Sequence, residues 1–245
     1  MITIQNIAKS YGDVQAVKDV SFEAKDGEIT TLLGANGSGK TTTLRSICGL
    51  LNIDQGNILV EGTNVHQDPI EIRKSLGFVP DEFGLYSRLT AREHLDYFAA
   101  LHGMKGAEKK AAISEILDLL NINDLADRKT DGFSLGERAK VALGRALVYR
   151  PKNFILDEPT RGLDVVSIRL LRGLLRNLKD RGHAILFSSH VMAEVAELSD
   201  RVVIIADGHV VANETPQAIV KQAGTQNLED AFVQLTGIEE KEMVA

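Results

Sequence analysis

One stretch, Gly34-Ala35-Asn36-Gly37-Ser38-Gly39-Lys40-Thr41, limits what this chain can fold into more than any other. It follows the apolar run Ile29-Thr30-Thr31-Leu32-Leu33 and precedes a helix expected from Thr42 onward. Gly-x-x-x-x-Gly-Lys-Thr between a strand and a helix is the form of a phosphate-binding loop, and that context separates a site from a chance match. The glycines let the backbone turn tightly, so that successive N–H groups and the free amides of the following helix converge on phosphates. Lys40 then reaches the β- and γ-phosphates and the Thr41 hydroxyl ligates Mg²⁺. A plain glycine-rich turn needs neither the Lys-Thr pair nor this spacing.

The rest of the chain bounds the setting of that loop. Its 245 residues can hold one substantial core, or one core with a smaller lobe grown out of it. A formal charge of -6 with no long Lys/Arg block gives no reason to expect a nucleic-acid partner. The single cysteine, Cys48, excludes an internal disulfide and reads as a small core filler in the first helix. No apolar window is long enough to cross a bilayer, and the start Met-Ile-Thr-Ile-Gln lacks signal-peptide features. A cytoplasmic chain is expected, with docking on a membrane protein left open.

Up to Val60 the chain reads as short strands, with Ile2-Ile4 and Val17-Phe22 apolar, a hairpin signal at Asp26-Gly27 and a turn at Glu61-Gly62. Tyr11 falls in a loop between the first strands, where its ring either stacks on a nucleobase or lies on the surface. Leu76-Val79 is a short strand stopped by Pro80, after which Asp81 and Glu82 serve a metal or water, or are solvated turn residues. Thr90-x-x-Glu93 is a capping box, and a second helical segment covers Ala111-Leu120. The region from about Leu85 to Gly132 shows no clear strand, which predicts a helical lobe inserted between strands of the main sheet.

A second capping box, Ser134 with Glu137, opens a helix expected to run to Arg150, and Gly136 leaves its first amides uncovered as a second anion receptor. Asn153-Leu156 is an apolar strand ending in Asp157, able to hold the water shell of Mg²⁺, and Glu158, placed to deprotonate the attacking water. A further strand, Ala184-Phe187, ends at Ser188-Ser189-His190, where His190 can bond a terminal phosphate or orient the water. The other five histidines read as surface or packing residues. Val202-Ile205 and His209-Val211 form a hairpin around Asp207-Gly208, and past Pro216 a partly helical tail ends in Glu239-Glu240-Lys241-Glu242.

Taken together, these motifs resemble the nucleotide-binding subunit of an ATP-binding cassette (ABC) transporter over nearly the whole length. Gly34 to Thr41 is similar to its Walker A, Ile155 to Glu158 to its Walker B with catalytic glutamate, and Ser134 to Arg138 to its signature sequence. Gly162-Leu163-Asp164 resembles the D-loop, His190 the switch histidine and Tyr11 the base-stacking aromatic. Two departures stand out. The signature reads Ser134-Leu135-Gly136-Glu137 where Ser-Gly-Gly-Gln is usual, and Asp81 replaces the usual glutamine with a group that accepts but does not donate hydrogen bonds.

The resemblance implies an α/β P-loop NTPase core with an antiparallel β subdomain and an inserted helical lobe, the ATPase domain spanning 1-232, the lobe about 85-132, and a tail 233-245. It implies ATP and Mg²⁺ as ligands. Nucleotide contacts fall to Tyr11, Asn36, Gly37, Ser38, Gly39, Lys40, Thr41, Thr42, Ser134, Gly136 and Glu137, with the metal at Thr41, Asp157 and Asp81. Catalysis falls to Glu158, His190 and Lys40. The implied partners are an integral membrane permease and a second copy, or a paralogous cassette, packed head to tail at the cytoplasmic face of the membrane. Phe78-Val79-Pro80-Asp81-Glu82 and Leu228-Glu229-Asp230-Ala231-Phe232 resemble the branch serving exporters, including sodium-export systems. A chromosome-maintenance ATPase would need a long coiled coil between Lys40 and Ser134, a translation factor two cassettes, and a GTPase an Asn-Lys-x-Asp motif, none of which is present. A soluble scaffold ATPase and an importer subunit remain as alternatives.

Overall fold

Three segments buried at every position, Ile29–Leu33, Asn153–Leu156 and Ala184–Ser189, fix the centre of the molecule. Strands covered on both faces belong in the middle of a parallel sheet, and there the computed structural model, which describes residues 1–237, places them. The acidic stretch Glu239-Glu240-Lys241-Glu242 lies outside the described residues.

In chain order the strands are β1 (Ile2–Tyr11), β2 (Val14–Ala24), β3 (Ile29–Leu33), β4 (Gln55–Val60), β5 (Thr63–Asn64), β6 (Leu76–Val79), β7 (Asn153–Leu156), β8 (Ala184–Ser189), β9 (Arg201–Ala206) and β10 (His209–Glu214). The helices are α1 (Lys40–Ile47), α2 (Pro69–Ser75), α3 (Ala91–Leu101), α4 (Gly106–Leu119), α5 (Leu135–Leu147), α6 (Val165–Asp180), α7 (Met192–Leu198), α8 (Pro216–Ala223) and α9 (Leu228–Thr236). The sheet order is β5-β4-β1-β2-β10-β9-β3-β8-β7-β6. Strands β9, β3, β8, β7 and β6 are parallel neighbours, while β1 pairs antiparallel with both β2 and β4. The β9–β10 hairpin joins the two parts through one parallel bridge, His209 to Asp19.

Between β6 and β7 the chain leaves the sheet for α3 and α4, whose Leu95, Ala99, Ile113 and Ile116 share a core with Ala142 and Ala146 of α5. Both capping boxes expected from the sequence form, at Thr90/Glu93 and Ser134/Glu137. Cys48 is buried, and burial pushes its thiol pKa well up, as suits a packing residue.

Four local expectations change. Asp26-Gly27 is a turn but no hairpin, because β2 pairs with β1 and β3 pairs with β8 and β9. The first hairpin turns instead at Gly12-Asp13, so Tyr11 ends a strand, opposite Val14, and is not in a loop. Helix α5 stops at Leu147 and not Arg150, since Pro151 disfavours helical backbone before it and Arg150 adopts φ +54°. Helix α1 begins at Lys40, two residues earlier than expected, with Gly39 as its N-cap.

The passage into the helical insertion is held by a buried histidine. His94 of α3 is wholly buried, its Nδ1 lying 2.8 Å from the Thr90 carbonyl and its Nε2 3.0 Å from the Tyr86 N–H. A carbonyl only accepts and an amide only donates, so the ring must be neutral with its proton on Nδ1. Burial lowers its pKa and the Arg145 charge adds to this, opposed by the Thr90 bond and Glu93. His102, stacked on Tyr149, is lowered by burial too. Below the unfolded value, about 6.5, the unfolded chain takes up protons that the folded rings refuse, so stability falls as pH drops through that point until the folded rings also titrate. Denaturant midpoints between pH 5 and 8 should show this loss, and His94→Gln should flatten part of it. An identical slope in the variant would remove His94 as a cause.

Candidate active site

Because β3, β6, β7 and β8 run parallel, their C-terminal ends open on one edge of the sheet, and each delivers a predicted site residue there. Strand β3 leads into the phosphate loop, β6 to Asp81, β7 to Asp157 and Glu158, and β8 to His190. The loop turns at Gly39 with φ +105°, where a Cβ would sit 2.5 Å from the Ala16 carbonyl oxygen of β2. Only glycine meets both conditions. No side chain caps α1, so its first amides stay free to bind an anion.

Lys40 is 6 % exposed, and its Nζ donates to the carbonyls of Gly34 at 2.8 Å and Ala35 at 3.1 Å. Glu158 Oε1 lies 3.7 Å from the same nitrogen. Burial pulls the lysine pKa below its ordinary value, opposed by the charges of Glu158 and Asp157. Glu158 stands in the left-handed region at φ +47°, a strained conformation for a side chain of this kind and one that clusters at functional sites. Its Oε2 is 2.8 Å from His190 Nδ1.

Ser188 joins the two acids. Its hydroxyl donates to Asp157 Oδ1 at 2.6 Å and accepts from the Glu158 N–H at 2.8 Å. Asp157 is 1 % exposed, and its second oxygen, Oδ2, has no partner. A buried carboxylate oxygen left bare is costly, and a cation would satisfy it. Among the described residues no three His, Cys, Asp or Glu side chains gather into a metal cage. That donor set fits Mg²⁺, which takes one or two carboxylates and completes its shell with phosphate oxygens and water.

A cleft of about 280 Å³ opens here, lined by Ala16, Asn36, Gly37, Gly39, Lys40, Thr41 and Thr42 on one side and by Asp81, Glu158 and Arg161 on the other. Ser38 is buried in the loop, and Arg45 approaches Asp81 at 4.0 Å. Tyr11 is about half exposed and is not among the lining residues, although its hairpin partner β2 brings Ala16 to the cleft. Ser134, Gly136 and Glu137 do not line it either. They form the start of α5, where Glu137 Oε2 accepts from the Ser134 N–H at 2.7 Å and that bond holds the carboxyl below its usual range. A Cβ on Gly136 would fall 2.8 Å from Ser167 Oγ, so this helix start packs against the start of α6, which Asp164 caps. Sequence reasoning assigned no role to Ser188, Arg161 or Ala16. None of the three carries a local signal, because the partners of Ser188 lie 30 and 31 positions away and Arg161 and Ala16 reach the cleft only through the fold.

A Lys-bearing loop, a buried acid with a bare oxygen and a strained glutamate meeting a histidine lie together at one sheet edge, and the ABC transporter family model matches residues 17–161. The chain belongs to the ABC transporter family. It is 39% identical over 238 residues to the ABC transporter ATP-binding protein NatA of Bacillus subtilis (strain 168), covering 95% of this chain and 97% of that one. It is 36% identical to the linearmycin resistance ATP-binding protein LnrL of the same organism, over 100% of this chain and 78% of that one. A sulfate/thiosulfate import ATP-binding protein, CysA of Thermosynechococcus vestitus, is 37% identical over 89% of this chain and 65% of its own length.

A solved ATP-binding subunit of an ABC transporter superposes with TM-score 0.89 at 30% identity, over 96% of this chain and 99% of that one. The dimeric cassette MJ0796 does so with TM-score 0.81 at 28% identity, over 88% and 98%. The expected P-loop NTPase fold of ABC ATPase type is therefore present, and the chain is an ATP-hydrolysing member of a family whose ATPases dimerise and pair with membrane permeases. No described helix of this ABC ATPase is long and apolar enough to cross a membrane.

Proposed function

We propose that this ATPase binds Mg²⁺-ATP in the Lys40 cleft, packs head to tail with a second cassette, and powers export of sodium or a drug-like compound through a separate membrane-spanning permease at the cytoplasmic face. The ATPase unit is taken as 1-232, with the lobe at about 85-132 and the remainder as a tail. The observation that carries the reading is the division of the site. Lys40, Asp157, Glu158 and His190 gather at one sheet edge, while Ser134 and Gly136 lie outside the cleft at the capped start of α5. Beside that start the apolar side chains of Leu135, Val165 and Val166 are exposed, with Leu135 close to Gly162. A second copy bringing Ser134 and Gly136 to this cleft completes the site and covers those side chains together.

Within the dimer each residue has one task. Lys40 and the loop amides of Asn36 to Thr42 hold the phosphates, and Tyr11 stacks on the base. Thr41, Asp157 and Asp81 hold Mg²⁺, which when bound neutralises phosphate charge. Ser188 fixes the Asp157 carboxylate and the Glu158 backbone, and Glu158 takes the proton of the attacking water while His190 orients its carboxylate. Closure and reopening of the dimer move the helical lobe, which grips the permease.

Export is favoured by the likeness to a resistance protein and by the segments at Phe78 and Leu228; the importer relative supports the opposite direction. Purification of the chain from detergent-solubilised native membranes should bring down a stoichiometric multi-helix membrane protein, and transport by that pair in vesicles then names cargo and direction. Recovery of soluble partners alone, with no membrane crosslink, would put the scaffold ATPase ahead.

A further inference from the structure

The segment from Asp81 to Thr90 joins the cleft to α3 and contains no helix or strand of its own. Its backbone groups must find partners elsewhere. Two of them, the carbonyls of Phe83 and Gly84, accept from one side chain, the guanidinium of Arg145 on α5, through Nη2 and through Nη1 at 3.1 Å. His94 receives the Tyr86 N–H, and Thr130 takes the Tyr86 and Leu89 carbonyls through its hydroxyl and N–H.

Arg145 is an expensive way to satisfy two carbonyls. It is 8 % exposed, its Nε is buried without a partner, and among the described residues no carboxylate forms an ion pair with it. The guanidinium also lies over the face of Phe98, 4.9 Å from the ring centroid. A buried cation lacking a counter-charge lowers stability. Both of its bonded nitrogens point to a single segment, so what this costly group adds is a tie between α5 and that segment.

The helix that carries Arg145 opens at Ser134. Arg145 lies eleven positions after Ser134, about 16 Å of rigid rod, packed along its buried face from Ala139 to Leu147. One end of that rod is the group offered to the neighbouring cassette's nucleotide, and the other grips the chain two residues beyond Asp81, which lines this cassette's own cleft.

We propose that Arg145 is a positioning residue that couples the two nucleotide sites of the dimer, by making the Ser134 helix and the segment after Asp81 move as one piece. This rests on the head-to-tail reading above. Engagement of Ser134 by one nucleotide draws α5, and through Phe83 and Gly84 resets Asp81 at the other. The transmission needs the rigid planar fork; an ammonium can also reach two carbonyls, as Lys40 does, but its freely rotating donors do not fix the segment's orientation.

The test compares wild type, Arg145→Met and Arg145→Lys in ATPase rate against ATP concentration, beside binding of a fluorescent ATP analogue to dilute, monomeric protein and thermal midpoints. Wild type should approach a Hill coefficient of about 2, the number of sites. Arg145→Met should fall to about 1 with monomer affinity changed less than about twofold, and Arg145→Lys, the variant expected to fold best, should lie between them. A structural role alone would lower the thermal midpoint and leave the Hill coefficient high; that result overturns the proposal. Should wild type itself show no cooperativity and no ATP-dependent dimer, the head-to-tail reading fails and the coupling with it. Cooperative wild type with equally cooperative variants sinks only the coupling.

Discussion

Replacing Glu158 with glutamine is expected to slow ATP turnover by about 10²- to 10⁴-fold, the range for loss of a positioned general base, while ATP still binds. The exchange is nearly isosteric. Glutamine can keep a contact with His190 Nδ1, now at 2.8 Å, and leaves the Ser188 bond to the backbone N–H untouched. What disappears is the ability to accept a proton from water. One carboxylate facing the phosphates is also removed, so nucleotide should bind somewhat more tightly, since a repelling charge is gone. Slow hydrolysis with tight binding makes the closed dimer accumulate, and light scattering with ATP should find twice the mass found without it. Turnover within about threefold of wild type would take Glu158 out of the base role. Loss of binding would instead place the damage in the strained backbone at φ +47°.

How far such roles could be read beforehand depended on how local their physics is. The phosphate loop, the capping boxes at Thr90 and Ser134, and the hairpin at Asp207-Gly208 are each decided within a few residues, and all form as expected. Asp26-Gly27 misled because turn residues mark where a chain bends and carry no information about which strand it pairs with next; pairing is decided across the sheet. Tyr11 followed from the same error, since β1 runs to 10 residues with bulges and not as a short strand. Ser188 and Arg145 were illegible for a different reason. Their partners lie 30 to 62 positions away, and a serine in an apolar strand or an arginine in a helix is unremarkable until the fold brings Asp157 or Phe83 beside it. The site's acids were readable because parallel strands deliver their C-terminal residues to one edge. The residues that hold those acids in place were not.

Lys40→Met should lower ATP affinity by roughly 100-fold, near the upper end for one hydrogen bond to a charged group. Methionine matches the length of the lysine stem, so the loop keeps its packing, yet it offers neither charge nor donor. Two losses combine. The phosphates lose a cation, and Asp157 and Glu158 lose the positive charge that lies 3.7 Å from Glu158 Oε1, so two acids now face an anionic ligand. Combining Lys40→Met with Glu158→Gln separates them by isothermal titration, using free ATP-binding heats at fixed Mg²⁺. If unbalanced acid dominates, removing the Glu158 charge restores much of the affinity; if the lost donor dominates, the double variant binds no better than Lys40→Met. Arginine is no conservative replacement, because a planar fork does not fit where one Nζ bonds the Gly34 and Ala35 carbonyls inside the loop. Affinity within about threefold of wild type in Lys40→Met would remove this residue from phosphate binding, since a charged hydrogen bond accounts for more than that.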